Sequence, residues 1–183
     1  MNETTLTQMR TSAARMTALV QDIKEDQLDL PTPCSEYDVK GLLNHLEWGA
    51  SLFESVSLGG EFVPPKAEYT GDLPERIERL LAVYEQPEAW QGESEAMGGL
   101  PKAVLANMAL TDFVAHGWDL SKATGLEYEV DEETAAALLA FAEQTAPTAR
   151  ERGVFGAEVP VPDDAPTMDR FLGVIGRDPA WRP

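Results

Sequence analysis

The sequence predicts an all-α fold, a four-helix-type bundle with an additional helix and an extended C-terminal tail packed on it. Three observations carry this. Apolar residues recur at intervals of three and four in several separate segments, the spacing that lays side chains along one stripe of a helix. No segment shows the sustained apolar–polar alternation of a half-buried strand. The periodic segments are separated by stretches rich in proline and glycine, so the helices are expected to form a bundle of up-and-down character.

In the first segment Leu6, Met9, Ala13, Met16, Val20 and Ile23 form the stripe, which predicts a helix over about residues 3–25. The stretch DLPTPCSEYD then interrupts the chain with two prolines and offers Ser35 as an N-cap with Asp38 three residues on. The second helix is therefore expected from about 36 to Ser57, before Gly59 and Gly60. After the loop EFVPPKAEYTGD, residues Leu73, Ile77, Leu80, Leu81 and Tyr84 mark a third helix ending near Pro87. The loop PEAWQGESEAMGG leads to Pro101, a residue suited to the first position of a helix. This fourth helix stops before Gly125, with Lys122 complementing the dipole in its last turn. Asp131 caps a fifth helix, which Pro147 is expected to close or kink. Residues 1–152 are thus expected to form the bundle. From 153 onward FGAEVPVPDDAP reads as extended and PTMDRFLGVIG as a short helix. Phe155, Phe171, Leu172 and Ile175 are too apolar for a free tail, so 153–183 is expected to fold back on the bundle.

Charge narrows the partners. The 183 residues carry 14 Lys and Arg against 32 Asp and Glu, a net charge of −18, and a surface of that sign repels phosphate backbones and anionic membranes. Neither nucleic acid nor membrane is expected as a partner. The first ten residues, MNETTLTQMR, lack the basic-then-apolar pattern of a signal peptide, and no apolar run approaches the roughly 20 residues of a membrane span, so a cytoplasmic protein is expected. A single cysteine, Cys34, allows neither an internal disulfide nor a Cys-only metal cluster, and reads best as a small buried residue near a helix start. Phosphate-cradling loops, nucleophile elbows and dinucleotide fingerprints are all missing.

The chemistry-bearing residues concentrate in the fourth helix, whose segment VLANMALTDFVAHGWDL is apolar nearly all round yet contains Asp112, His116 and Asp119. At ~100° per residue these three share one face. A buried carboxylate needs compensation, and a cation would supply it. On the second helix His45 lies at the margin of the apolar arc beside Leu42, Gly49 and Leu52, placed to face a neighbouring helix. Two imidazoles and a carboxylate, two of them four apart on one helix, are the ligand set of a Zn²⁺ or similar divalent site with an open position. The same residues also fit a structural reading, in which Asp112 and His116 form a buried hydrogen-bonded pair and His45 is a boundary residue. Asp119 and Asn44 read as groups behind the ligands or as caps, and Trp48 and Trp118 as core or pocket wall.

Three motifs in order, LPTPCSEYDVKGLLNHL, DFVAHGWDLSKATG and FGAEVPVPDDAPTMDRFLGVIGRDPAW, resemble the DinB-like superfamily. Within it they resemble the actinobacterial branch related to the N-terminal domain of mycothiol-dependent maleylpyruvate isomerase. The resemblance spans nearly the whole chain. It implies a four-helix bundle holding a divalent metal, most readily zinc and in second place nickel, through His45, Asp112 and His116, with Trp118 and Asp119 near the pocket. It further implies an enzyme that activates a low-molecular-weight thiol such as mycothiol for S-transfer to, or isomerisation of, a small electrophile. The partners implied are the thiol and the electrophile, with a homodimer also open. A non-catalytic bundle that binds metal or a small ligand is the alternative. Two departures stand out: Asp112 replaces the Glu of the isomerase pattern, and a short tail stands where the isomerase has a large C-terminal domain.

Overall fold

A computed structural model of the chain describes residues 2–65 and 68–183; Met1, and Lys66 and Ala67 within the loop expected between the second and third helices, lie outside the described residues. Six helices dominate: α1 Glu3–Asp22, α2 Val39–Ser57, α3 Leu73–Tyr84, α4 Lys102–Thr124, α5 Glu132–Glu151 and α6 Thr167–Val174. A two-residue antiparallel pairing of Glu93–Ser94 with Leu100–Pro101 is the sole sheet among the described residues.

The core is the set of stripes read from the sequence. Leu6, Met9, Ala13 and Met16 of α1, Leu42, Leu43 and Leu46 of α2, Ile77 and Leu80 of α3, and Leu105, Ala109 and Phe113 of α4 are all buried together. Val20 and Ile23, at the frayed end of the first stripe, pack only at its edge. Helix α4 touches both α1 and α2, α2 touches α3, and α3 touches α1, so the four helices form a ring in the order α1–α3–α2–α4. The expected up-and-down order, with each helix beside its successor, is therefore not the one adopted. The long connections 23–38 and 85–101 give the chain the reach to step between non-adjacent helices. Helix α5 lies outside the ring, against α4, and packs on α6. The C-terminal segment packs back as expected, with Phe171, Leu172 and Ile175 buried.

Several helix ends differ from the sequence reading for local reasons. Helix α1 stops at Asp22 because Ile23 turns to an extended conformation. Ser35 is not the cap of α2. The Thr32 hydroxyl reaches the carbonyls of Cys34 and Tyr37 at 3.0 and 2.8 Å, and Tyr37 N–H donates to the Cys34 carbonyl at 2.9 Å. These bonds hold 32–37 in a turn, so the cap falls to Asp38, whose side chain accepts from Gly41 N–H at 2.7 Å. Helix α3 ends three residues before Pro87, whose ring disfavours helical geometry in the residue preceding it. Pro101 serves as the N-cap residue of α4 rather than as its first helical residue. Pro147 neither closes nor interrupts α5, which continues to Glu151. Pro147 and Glu143, whose carbonyl it leaves without an N–H partner, both face solvent, where water can take that bond.

Glu47 ties α2 to the start of α3. Its buried carboxylate accepts from the N–H groups of Thr70, Gly71 and Asp72 and from the Thr70 hydroxyl at 2.7–3.0 Å. These bonds satisfy a group that would otherwise be costly to bury. No helix among the described residues is long and apolar enough to cross a membrane.

Phe171 tests the docking of the C-terminal segment, since its ring is fully buried. Phe171→Ala is expected to lower the unfolding free energy by about 3–5 kcal/mol, read from urea denaturation. A loss below about 1 kcal/mol would mean the segment adds little to the fold.

Candidate metal centre

Where α2 crosses α4, the two histidines and the two carboxylates singled out from the sequence come together. The Nε2 atom of His45 lies 3.3 Å, and that of His116 3.4 Å, from the same oxygen, Asp112 Oδ1. The two imidazole rings meet edge to face with centroids 4.9 Å apart, and the three donor atoms all lie within 4.8 Å of one another. A charge-assisted N–H···O contact closes to about 2.7–2.9 Å. Both contacts are longer than that. Ligands arranged tetrahedrally at zinc–nitrogen and zinc–oxygen distances of about 2.0–2.1 Å stand ~3.3 Å apart, close to the two nitrogen–oxygen separations here.

Asp119 lies behind this trio. Its carboxylate is completely buried, with Oδ2 2.9 Å from His116 Nδ1. A carboxylate only accepts, so Nδ1 carries the proton and donates it to Asp119, which directs Nε2 toward Asp112. Asp119 is in turn held by Arg177: Nε lies 3.1 and 3.2 Å from its two oxygens, and a terminal guanidinium nitrogen lies 3.1 Å from Oδ2.

The charges of the cluster are mutually set. Burial works against a charge on Asp112, but the charge of His45 and hydrogen bonds with both histidines outweigh it and hold the carboxyl well below the usual carboxylate range. Burial likewise opposes a proton on His116. The hydrogen bonds and charges of Asp112 and Asp119 outweigh it and raise the imidazole to about 9. Without a metal, His116 thus holds its proton more tightly than a free imidazole, with Nδ1 donating to Asp119 and Nε2 standing 3.4 Å from Asp112 Oδ1.

Not every expected residue joins the cluster. Trp118 lies two residues beyond His116, about 200° round the helix. Its buried indole instead has Lys122 Nζ 5.4 Å from its ring centroid. Trp48 does flank the site, with its ring 5.4 Å from that of His45; Tyr37 stands 5.3 Å away, also beside His45. The Trp48 indole N–H donates to the Val63 carbonyl at 2.7 Å, and Phe62, half-exposed, extends the aromatic wall outward. Asn44 is half-buried on α2 beside His45.

Two neighbours escape a reading of the sequence alone. Cys34, half-buried in the turn before α2, places its sulfur within 4.8 Å of the nearest donor atoms of His116 and Asp119, and burial pushes its thiol pKa up. Arg177 arrives from the far end of the chain. The one signal pointing to it was Asp119 itself, a carboxylate on a buried helix that requires a cation.

Gly49 makes room for Asp112. A Cβ at this position would stand 2.9 Å from Asp112 Oδ2, so the bare backbone of α2 is what admits the carboxylate.

The fold and this cluster define an all-α bundle protein with a His–Asp–His group between two of its helices. Residues 9–121 match the family described as the mycothiol maleylpyruvate isomerase N-terminal domain, and the chain belongs to that family. Two uncharacterised proteins of Mycobacterium tuberculosis, from strains CDC 1551 / Oshkosh and ATCC 25618 / H37Rv, are each 31% identical to it over 174 residues, covering 87% of this chain and 90% of the relative. No solved structure matches the chain closely enough to be compared.

Alanine in place of glycine ordinarily favours a helix interior by about 0.5–1 kcal/mol. Here the added Cβ would push the Asp112 carboxylate aside, so Gly49→Ala is expected to bring no such gain in the metal-free melting temperature and to weaken zinc binding roughly 10-fold, measured by chelator competition. Equal affinity would show that Asp112 is not needed where it stands.

A second expectation follows from His116. Its proton is held more tightly in the folded chain than in the unfolded one, where the group titrates near ~6.5. The resulting stability of the metal-free protein is fully present below pH ~6.5 and is lost as pH rises toward about 9. A cation needs the same Nε2 lone pair, so zinc binding near neutral pH is expected to release a proton and to tighten with pH across this window. Calorimetry in buffers of different ionisation enthalpy counts the protons, and a count of zero would contradict the assignment.

Proposed function

We propose that the protein is a metal-dependent enzyme that activates a low-molecular-weight thiol of the mycothiol kind for S-transfer to, or isomerisation of, a small electrophilic substrate. The ligands in this reading are His45, Asp112 and His116, and the cation is zinc, with nickel the second candidate. The observation that carries it is the convergence of two imidazole Nε2 atoms on one carboxylate oxygen at 3.3 and 3.4 Å. Membership of a family named for a mycothiol-linked isomerase supports the choice of thiol.

A divalent cation supplies the positive charge that lowers the pKa of a bound thiol. The chain's own residues prepare for this in three ways. Three protein ligands leave one position of a four-coordinate site free for a fourth donor. One carboxylate and two neutral imidazoles offset only one of the two positive charges, so the free position favours an anionic sulfur over a neutral donor. Asp119 fixes the His116 ring from behind rather than touching the thiol, while Tyr37 and Trp48 wall the His45 side against water.

Metal content of the untagged protein by mass spectrometry, with a thiol-conjugation assay on the same samples, tests this. About one equivalent of zinc is expected in the wild type, with loss in His116→Ala and His45→Ala. Chelation is expected to abolish conjugation of the thiol to a chromogenic electrophile, and zinc to restore it. Tight metal binding with no conjugation of any thiol tried would favour the non-catalytic binding bundle. No metal even after reloading would leave Asp112 and His116 as a structural pair.

A further inference from the structure

We propose that the C-terminal segment is a working part of the metal centre, with Arg177 as a positioning residue that acts through Asp119 on the His116 ring. This rests on the metal reading above and extends it to a residue outside the 9–121 family match.

The contact is unlike a surface ion pair. Asp119 has no exposed side-chain surface and Arg177 keeps only 13% of its own. The guanidinium engages both carboxylate oxygens, a fork geometry that fixes the plane of the carboxylate as well as its charge. One of those oxygens, Oδ2, is the acceptor for His116 Nδ1 at 2.9 Å. The orientation of the imidazole is therefore set by a carboxylate that is itself set by Arg177. Side chains in this relay hold the ligand ring and its tautomer, and their loss typically costs 10- to 100-fold in metal affinity.

The position of Arg177 is fixed independently of the cluster. Phe171, Leu172 and Ile175 bury α6 against the rest of the molecule, and Arg177 N–H donates to the Leu172 carbonyl at 2.8 Å, which closes the end of that helix. Arg150 of α5 adds a bond to the Val174 carbonyl at 2.6 Å. The segment thus docks through apolar contacts and backbone bonds, and delivers the guanidinium to α4 as a consequence. Linkage requires the reverse effect too: a metal that favours the oriented His116 must favour the docked segment.

The test measures zinc affinity by chelator competition for wild type, Arg177→Lys, Arg177→Ala, Asp119→Asn and the Arg177→Ala/Asp119→Asn double variant, alongside the visible spectrum of the Co²⁺-loaded forms and the melting of the metal-free forms. Arg177→Ala is expected to weaken zinc binding about 10-fold and to alter the Co²⁺ bands, with Arg177→Lys in between because it keeps the charge and loses the fork. If Arg177 acts through Asp119, the double variant binds no more weakly than Asp119→Asn alone. In hydrogen exchange, zinc is expected to slow residues 153–183 in the wild type and not in Arg177→Ala.

Wild-type zinc binding together with unchanged affinity and Co²⁺ spectrum in both Arg177 variants would overturn this inference and leave the metal site standing. Fully additive losses in the double variant would overturn the route through Asp119. Absence of zinc binding in the wild type would overturn the site and the inference together. Should Arg177→Ala fail to fold, Arg177→Lys carries the comparison.

Discussion

Helix α4 runs through the middle of the molecule with two carboxylates, Asp112 and Asp119, on one buried face, and the structure around it is arranged to keep those charges compensated. An ionised carboxylate taken out of water without a partner is among the costliest features a core can hold. Each one here draws positive charge from a different part of the chain. Asp112 faces His45 across the α2–α4 contact and His116 one turn along its own helix. Asp119 takes the fork of Arg177 from the C-terminal segment. His116 lies between the two carboxylates and binds both, so the cluster forms one connected network rather than two separate pairs.

That network explains the choice of residues in its surroundings. Gly49 lets α2 approach the Asp112 carboxylate closely. The turn held by Thr32 brings Cys34 and Tyr37 beside the histidines before α2 begins. The ring order α1–α3–α2–α4 puts α2 and α4 in contact, which is what allows a histidine from one to meet a carboxylate from the other. Buried networks of this kind are stable only when every member is satisfied, and the donor set left at their open side is one that a divalent cation fits.

Much of this was legible before the chain was seen folded. Asp112, His116 and Asp119 share a face because a helix is rigid at 3.6 residues per turn, so their spacing alone placed them together. His45 required a further step, the packing of one helix on another, and its position at the margin of an apolar arc pointed that way. Arg177 and Cys34 were not legible as neighbours of the site, since their positions depend on the path of the C-terminal segment and on a turn closed by a threonine hydroxyl. The start of α2 went astray for a similar reason. Ser35 and Asp38 are both good caps, and the choice between them was made by hydrogen bonds from Thr32 that no capping pattern encodes. Trp118, two residues beyond His116 and so well round the helix from it, takes the core position that was one of its two sequence readings.

What surrounds a cation in this cluster decides whether His45, Asp112 and His116 are its ligands. X-ray absorption at the zinc edge of the loaded protein measures that directly. Two imidazole nitrogens and one carboxylate oxygen are expected at about 2.0–2.1 Å, with the fourth position taken by solvent or added thiol. In the absence of added thiol, a sulfur scatterer at about 2.3 Å would identify Cys34 as a ligand, and a shell without imidazole would place the metal elsewhere; either result would contradict the His45–Asp112–His116 site.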